Sequence, residues 1–441
     1  MTKPHGMTGM RGLDGGASTF HEEGRFGRLF KTAKPYSPPD EFLIELGLSM
    51  EHEDPADPSG DSKEMPAGFT FLGQFVAHDI TFDTTSALDR KNDPAAIKDF
   101  RTPGLDLDCV YGLGPEANPF LFDQTDKAKL LTGTDKNPDD LQRNRQNVAL
   151  IGDPRNDVSL ITSQLHLLFL KFHNRVVDHL RAEGVPEDEV FEEAEHLTRW
   201  HYQWILIHEY IPKLTGPDII ADIRANGRRY YKFERHPFIP VEFTVAAYRF
   251  GHSQLRSVYK LNEKCPKARI FSELGAFNEV PGEHVVDWRN FFDLDPNHPP
   301  QPGRKIDTKM AVEMSDLPFV KELQPEMRSL AVRNLMRGKA LGLPSGQTVA
   351  RRLGVAPITN QEMGLDREAP LWYYILKEAE LHHDGERLGE VGGRIVAEVF
   401  AGFLQADEES YVCAEPLWKP TLPSATPGHF TMADMVRFVE S

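Results

Sequence analysis

Two short stretches carry side chains able to do chemistry: Gly73-Gln74-Phe75-Val76-Ala77-His78-Asp79 and Arg249-Phe250-Gly251-His252. Each sets one histidine in an apolar, helix-like context. An imidazole so placed can move a proton near neutral pH or bind a transition metal through a neutral nitrogen. Two such imidazoles can take different tasks, one as a proton carrier and one as a metal ligand. On a helix from Phe71 to Phe82, Gln74 and His78 share one face, because residues four apart are neighbours there. Leu72, Phe75, Val76 and Ile80 supply the packing surface of the same helix.

Helices must position these groups, and the sequence predicts a mainly α fold. Val158 to Arg181 is apolar around much of its circumference, as a helix at the centre of a large protein would be, with Asp157 as a candidate cap and Gly184 just past its end. Pro186 opens a second long helix with acidic residues Glu187, Asp188 and Glu189 in its first turn. Further helices are predicted over Phe243 to Tyr259 and Pro325 to Lys339. Between them Asp293 to Arg304 contains four prolines and is predicted to be a long loop. Residues 1–45 are rich in glycine, proline and polar residues without a sustained period and read as an extended N-terminal arm. Residues 46–441 form one large catalytic domain in this reading.

Composition limits the classes of function. The chain has 441 residues and 40% hydrophobic content, enough for a large buried core of a soluble globular protein. Fifty Lys and Arg against 67 Asp and Glu give a net charge of −17, which repels nucleic-acid phosphates and anionic membranes, so neither is an expected partner. No apolar run reaches the length of a membrane span and the first twenty residues have no hydrophobic signal core, which makes a cytoplasmic location the default expectation; export without a signal stays open. Cys109, Cys265 and Cys413 are too few and too scattered for a disulfide framework or a zinc site.

Three more motifs complete the set. Arg101 to Gly112 reads RTPGLDLDCVYG, residues 152 to 155 read Gly-Asp-Pro-Arg, and Asn334-Leu335-Met336-Arg337-Gly338 precedes Gly342-Leu343-Pro344. In this order the five motifs resemble those of the animal-type haem peroxidases, the superfamily of myeloperoxidase and the cyclooxygenases, and in particular its bacterial members. The likeness runs from about Gly24 to the C-terminal FTMADMVRF. It implies a single-domain, mainly α fold with haem b buried between central helices. It implies His78 as the distal histidine, Gln74 beside it, Arg155 as the distal catalytic arginine and His252 as the proximal iron ligand held by Asn334. Arg249 and Arg337 correspond to residues that pair with haem propionates. Asp79, Thr102, the Gly104 carbonyl, Asp106 and Asp108 correspond to a calcium site, whose alternating hard oxygens suit that cation.

The chemistry this implies uses hydrogen peroxide as oxidant and a small-molecule electron donor: halide, thiocyanate, phenol or another organic compound. Two departures from the family pattern matter. Ala77 and Val158 stand where mammalian members carry the carboxylates esterified to haem, which implies noncovalent haem. Arg249 stands where the fatty-acid oxygenases carry a radical tyrosine, with Tyr248 out of register, which disfavours lipid oxygenation. Two rivals remain at this stage. Glu193 with His196 and Glu380 with His383 each form a Glu-x-x-His pair of the type used by di-iron carboxylate enzymes. A haem carrier or redox sensor would use the same ligands without turnover. The oligomeric state is not encoded in these motifs.

Overall fold

The computed structural model describes residues 24–50, 52–54, 57–81, 98–99, 103–234, 236–275 and 277–441. Ten helices of eight residues or more make up its frame: α1 (Asp40–Ser49), α2 (Ala67–Ile80), α3 (Leu160–Glu183), α4 (Val190–Ile205), α5 (Pro217–Asn226), α6 (Leu330–Ala340), α7 (Gly346–Leu353), α8 (Leu371–His383), α9 (Glu390–Ala406) and α10 (Met432–Glu440). Strands among the described residues are short, and the mainly α expectation holds. None of the described helices is long and apolar enough to cross a membrane.

The centre is α2 against α3. Phe75 stacks on Phe169 with ring centroids 4.5 Å apart, and Tyr202 of α4 meets both rings edge-on. All three rings are fully buried. Removing a side chain of this size from water contributes about 2 kcal/mol each, which fixes the rotation of α2 about its axis. With Phe75 and Val76 turned inward, Gln74 and His78 lie on the half-accessible side.

Several boundaries differ from the sequence expectation for local reasons. α3 starts at Leu160 rather than Val158, and its cap is Ser159, whose Oγ accepts from Thr162 N at 3.4 Å. Asp157 does not cap, because both its carboxylate oxygens accept from Arg143, at 2.7 and 2.8 Å. The predicted helix over Phe243–Tyr259 is replaced by a single turn, Val241–Thr244, a 3₁₀ segment, Ala247–His252, and a strand at Val258–Tyr259. Here the bonds run three residues back, as in Arg249 N to Ala246 O at 3.0 Å. Apolar periodicity alone cannot separate the two windings over so short a run.

The second long helix begins at Val190, after a turn over Pro186–Glu189, and passes through a π segment, Leu206–Tyr210, into Ile211–Thr215. Pro212 explains the wide turn: it has no N–H to donate one turn back, and its ring needs the extra room. Ser329 splits the predicted Pro325–Lys339 helix into a 3₁₀ turn, Pro325–Arg328, and α6. The proline-rich stretch from Asp293 is irregular until Pro302–Arg304, which pairs with Asp61–Pro66.

Residues 1–23 lie outside the described residues. The described part of the N-terminal stretch is fastened to the core: Gly24–Gly27 pairs in parallel with Ile239–Pro240, and Glu242 accepts from Leu29 N and Phe30 N at 3.1 and 3.2 Å. A helix, α1, begins at Asp40 and packs closely on α6, where Gly47 approaches Val332 so tightly that an added Cβ would stand 2.7 Å from its backbone nitrogen. That contact supports the helix carrying Asn334.

Candidate active site

His78 sits in the last turn of α2. Its Nδ1 lies 2.8 Å from Oδ1 of Asn156, a fully buried residue, and Asn156 Nδ2 lies 3.0 Å from His166 Nδ1 on α3. Gln74, one turn earlier, accepts from the Thr162 hydroxyl at 3.0 Å. Both polar side chains of the distal face are therefore held from α3 or from the turn that precedes it.

Arg155 belongs to that turn. Its Nη2 donates to the His78 carbonyl at 2.8 Å and to the Thr81 carbonyl, and its Nη2 and Nε donate to buried Asp153 at 2.7 and 3.1 Å. A guanidinium on the last carbonyls of a helix satisfies orphan acceptors and suits the negative end of the helix dipole. The residue expected as a catalytic cation fastens the end of the helix that carries His78. Gly152 permits this arrangement, since a Cβ there would stand 2.6 Å from the Cys109 carbonyl.

The Asp106–Asp108 loop wraps the residue after His78. Asp79 accepts from Leu107 N at 3.2 Å, Cys109 N at 3.5 Å and the Tyr202 hydroxyl at 3.1 Å. Leu107 takes a left-handed conformation (φ 61°), and Asp106 Oδ1 accepts from Asp108 N at 3.2 Å. Asp79, Asp106 and Asp108 are all buried, and the Arg199 guanidinium lies close to the latter two, its Nε bonded to the Asp106 carbonyl at 2.7 Å. Asp106 and Asp108 share this guanidinium with Glu195, which pairs with it at 2.9 Å, so negative charge is in excess around the loop. Gly104 is buried in the same loop, whereas Thr102 lies outside the described residues. Among the described residues, no three carboxylate, thiol or imidazole groups converge as a finished metal cage.

On the opposite element, His252 ends the 3₁₀ segment that packs against α2. Burial, with the nearby Arg249 charge, pushes its pKa down to about 3, so the ring is neutral. Asn334 of α6 reaches it as expected, but with the amide reversed: Nδ2 faces His252 Nδ1 at 2.8 Å while Oδ1 accepts from Arg249 Nη1 at 2.7 Å. The guanidinium is the stronger donor and claims the oxygen. Arg249 Nε is held by the Thr244 carbonyl at 3.1 Å, and Trp372 donates to the Arg249 carbonyl at 3.2 Å. Arg337, one turn after Asn334 on α6, is buried on the same side.

These residues fit haem. His252 offers a neutral ring held through Nδ1, and an added Cβ at the neighbouring Gly251 would meet no atom within 4 Å. Two arginines flank it. The di-iron alternative has no such support: Glu193 and His196 are exposed on α4, and Glu380 is paired with Lys377 at 2.6 Å. The sequence motifs gave no reason to single out Asn156, His166, Thr162 or Tyr202. The one available sign was a second polar residue directly after Arg155.

Comparison with known proteins agrees. Residues 91–367, more than half of the chain, match the family described as animal haem peroxidase. Chorion peroxidase of Aedes aegypti is 25% identical over 294 residues, covering 64% of this chain and 37% of that protein. Human thyroid peroxidase is 31% identical over 114 residues, 25% of this chain and 12% of that protein. The chain thus spans little more than a third of the first relative and far less of the second. Among solved structures, peroxidase A of Dictyostelium discoideum superposes with a TM-score of 0.67 at 17% identity, over 100% of this chain and 98% of that one. A fatty acid alpha-dioxygenase of Oryza sativa gives a TM-score of 0.63 at 17% identity, over 96% and 79%. With the family matched over more than half of its length, the chain belongs to the animal haem peroxidase family, and it shares the fold of both solved structures.

Proposed function

We propose that the chain is a peroxidase that reduces hydrogen peroxide and oxidises a halide, a pseudohalide or a small phenolic or other organic donor. One observation carries this reading. Two imidazoles, each held through Nδ1, stand on contacting elements: His78 in the last turn of α2, and His252, kept neutral by burial, on the 3₁₀ segment.

Each residue then has a task. With Nδ1–H donated to Asn156, His78 keeps a lone pair on Nε2, which takes the proton from the near oxygen of peroxide and returns it to the far oxygen as water leaves. Arg155 holds the His78 carbonyl and brings a permanent positive charge to the same corner, where charge develops as the O–O bond lengthens. His252 would hold the haem iron through Nε2, with Arg249 and Arg337 as partners for the propionates. Binding of a propionate by Arg249 would release the Asn334 oxygen to accept from His252 Nδ1–H, the tautomer an Nε2 ligand needs. When bound, haem supplies the electrons for O–O cleavage and recovers them from the donor.

The haem is held without covalent links in this proposal. Ala77 and Val158 cannot form esters, and the one carboxylate beside the second position, Asp157, is committed to Arg143 through both oxygens. Calcium would be held in the loop of Asp79, Asp106 and Asp108, with the Gly104 carbonyl, and would pin the end of α2. The oxygenase alternative lacks its tyrosine at position 249.

The test is the absorption spectrum of protein loaded with haem and calcium, before and after stoichiometric peroxide. A ferric Soret band that shifts with peroxide and returns on addition of phenol or iodide supports turnover. A haem band indifferent to peroxide favours a carrier, and failure to bind haem refutes the His252 assignment.

A further inference from the structure

His78 is a base only if the right nitrogen is bare. A neutral imidazole carries its proton on Nδ1 or on Nε2, and the hydrogen bond made by one nitrogen decides the state of the other. We infer that Asn156, with its amide held at the far end by His166, sets the tautomer and the ring plane of His78, which makes Asn156 a positioning residue. The inference rests on the peroxidase reading for its catalytic consequence, and on geometry alone for the tautomer.

The geometry is a chain of three side chains with no freedom left in the middle. Asn156 is 0% exposed, and both ends of its amide are engaged: Oδ1 with His78 Nδ1 at 2.8 Å, Nδ2 with His166 Nδ1 at 3.0 Å. His166 is itself 0% exposed, on the helix that packs α2, with its ring 6.0 Å from that of Phe75. An amide oxygen can only accept, so His78 must donate from Nδ1 and Nε2 is left as the lone pair. An amide nitrogen can only donate, so His166 must accept at Nδ1 and carry its own proton on Nε2. Reversing the amide would turn Nδ2 toward His78 and put the proton on Nε2, the wrong place for a base. The backbone of Asn156 is fixed as well, since it donates to the Asp153 carbonyl at 3.0 Å within the turn that carries Arg155. One short turn therefore supplies both the cation and the orienting acceptor of the distal side.

The experiment reads the tautomer directly. Nitrogen-15 NMR of histidine-labelled, haem-free protein, with His78→Gln used to assign the signal, should show His78 protonated on Nδ1. Asn156→Leu, which keeps the volume and removes the acceptor, should shift that signal toward Nε2–H. In the haem-loaded protein it should slow the reaction with peroxide by about a hundredfold. Asn156→Asp retains an acceptor and should restore the Nδ1–H signal and most of the rate. The wild-type spectrum decides the matter even where a variant fails to fold: a His78 signal of the Nε2–H form overturns the inference. So does an Asn156→Leu protein with unchanged tautomer and unchanged rate. A wild-type chain that shows Nδ1–H but does not react with peroxide refutes the peroxidase reading and leaves the tautomer inference standing.

Discussion

Gly73 lies five residues before His78, and its lack of a side chain is a measurable structural requirement. A Cβ placed on it would stand 2.5 Å from the Tyr210 hydroxyl, 3.5 Å from Cζ of the same ring and 3.9 Å from the Tyr248 hydroxyl. Only the first of these is a clash. Tyr210 is fully buried in the π segment after α4, its ring stacked with that of Phe69 at 6.2 Å, and its hydroxyl accepts from Tyr248 at 3.3 Å. Gly73→Ala should gain about 1 kcal/mol in helix propensity. Against this stand about 1–3 kcal/mol for overpacking and about 1 kcal/mol for displacing the hydroxyl from Tyr248. The net expectation is a loss of about 2 kcal/mol. Tyr210→Phe alone leaves the Tyr248 hydroxyl without its partner and should cost about 1–3 kcal/mol. In the double variant the nearest atom becomes the ring carbon at 3.5 Å, an ordinary contact, so the alanine keeps its propensity gain and causes no clash. The two changes should therefore be less harmful together than the sum of their separate effects by about 2–4 kcal/mol. Urea unfolding of the four proteins of this cycle, followed by tryptophan fluorescence, measures the coupling. Additivity within about 0.5 kcal/mol would refute the claim that the Tyr210 hydroxyl is what forbids a side chain at position 73.

Three further outcomes are expected. His78→Ala should retain haem and lower the bimolecular rate with peroxide by about a hundredfold or more in stopped-flow absorbance, since His252 is untouched and only the base is lost. Acid–acetone should extract all haem from the polypeptide; haem remaining on the protein would contradict the engagement of Asp157 by Arg143. Glu378, fully buried with the N–H groups of Val391 and Gly392 on its carboxylate, has its pKa pushed up to about 7 by burial. A raised carboxyl pKa means that the folded state holds its proton longer than the unfolded state. Its stabilising effect is complete below the unfolded value near 4.5 and is lost as pH rises through 7. Glu378→Gln should therefore gain on the wild type by about 3 kcal/mol between pH 4.5 and pH 7, read from urea midpoints; a difference independent of pH refutes the assignment.

How much of this was legible in the sequence differs by type of interaction. The existence of α2 and α3 follows from apolar periodicity over many residues, a signal that averages out local errors. The boundaries depend on single competing bonds. Asp157 has the chemistry of a cap, yet Arg143, fourteen positions earlier, takes both oxygens with charge-assisted bonds, and Ser159 caps instead. The 3₁₀ winding of Ala247–His252 escaped because three-residue and four-residue repeats place nearly the same apolar positions inward over so short a run.

The site divides in the same way. His78, Arg155 and His252 could be proposed from the sequence because metal ligation, proton transfer and permanent charge each admit very few side chains. Their supports could not, since an acceptor for a histidine N–H or for an arginine can be an amide, a carboxylate or any carbonyl at any sequence distance. Asn156 is 78 positions from His78, and the carbonyls that fasten Arg155 are ordinary backbone. Asn334 shows the limit from the other side: its identity and its partner were both legible, but the orientation of its amide depends on which of two neighbours donates more strongly, and Arg249 wins that competition. Residue type at a reacting atom is thus constrained by chemistry, whereas the groups that aim it are constrained only by reach. Substitution of the aiming residues, Asn156 and Asn334 above all, separates the two requirements, because it leaves every reacting atom in the chain and changes only where the atoms point.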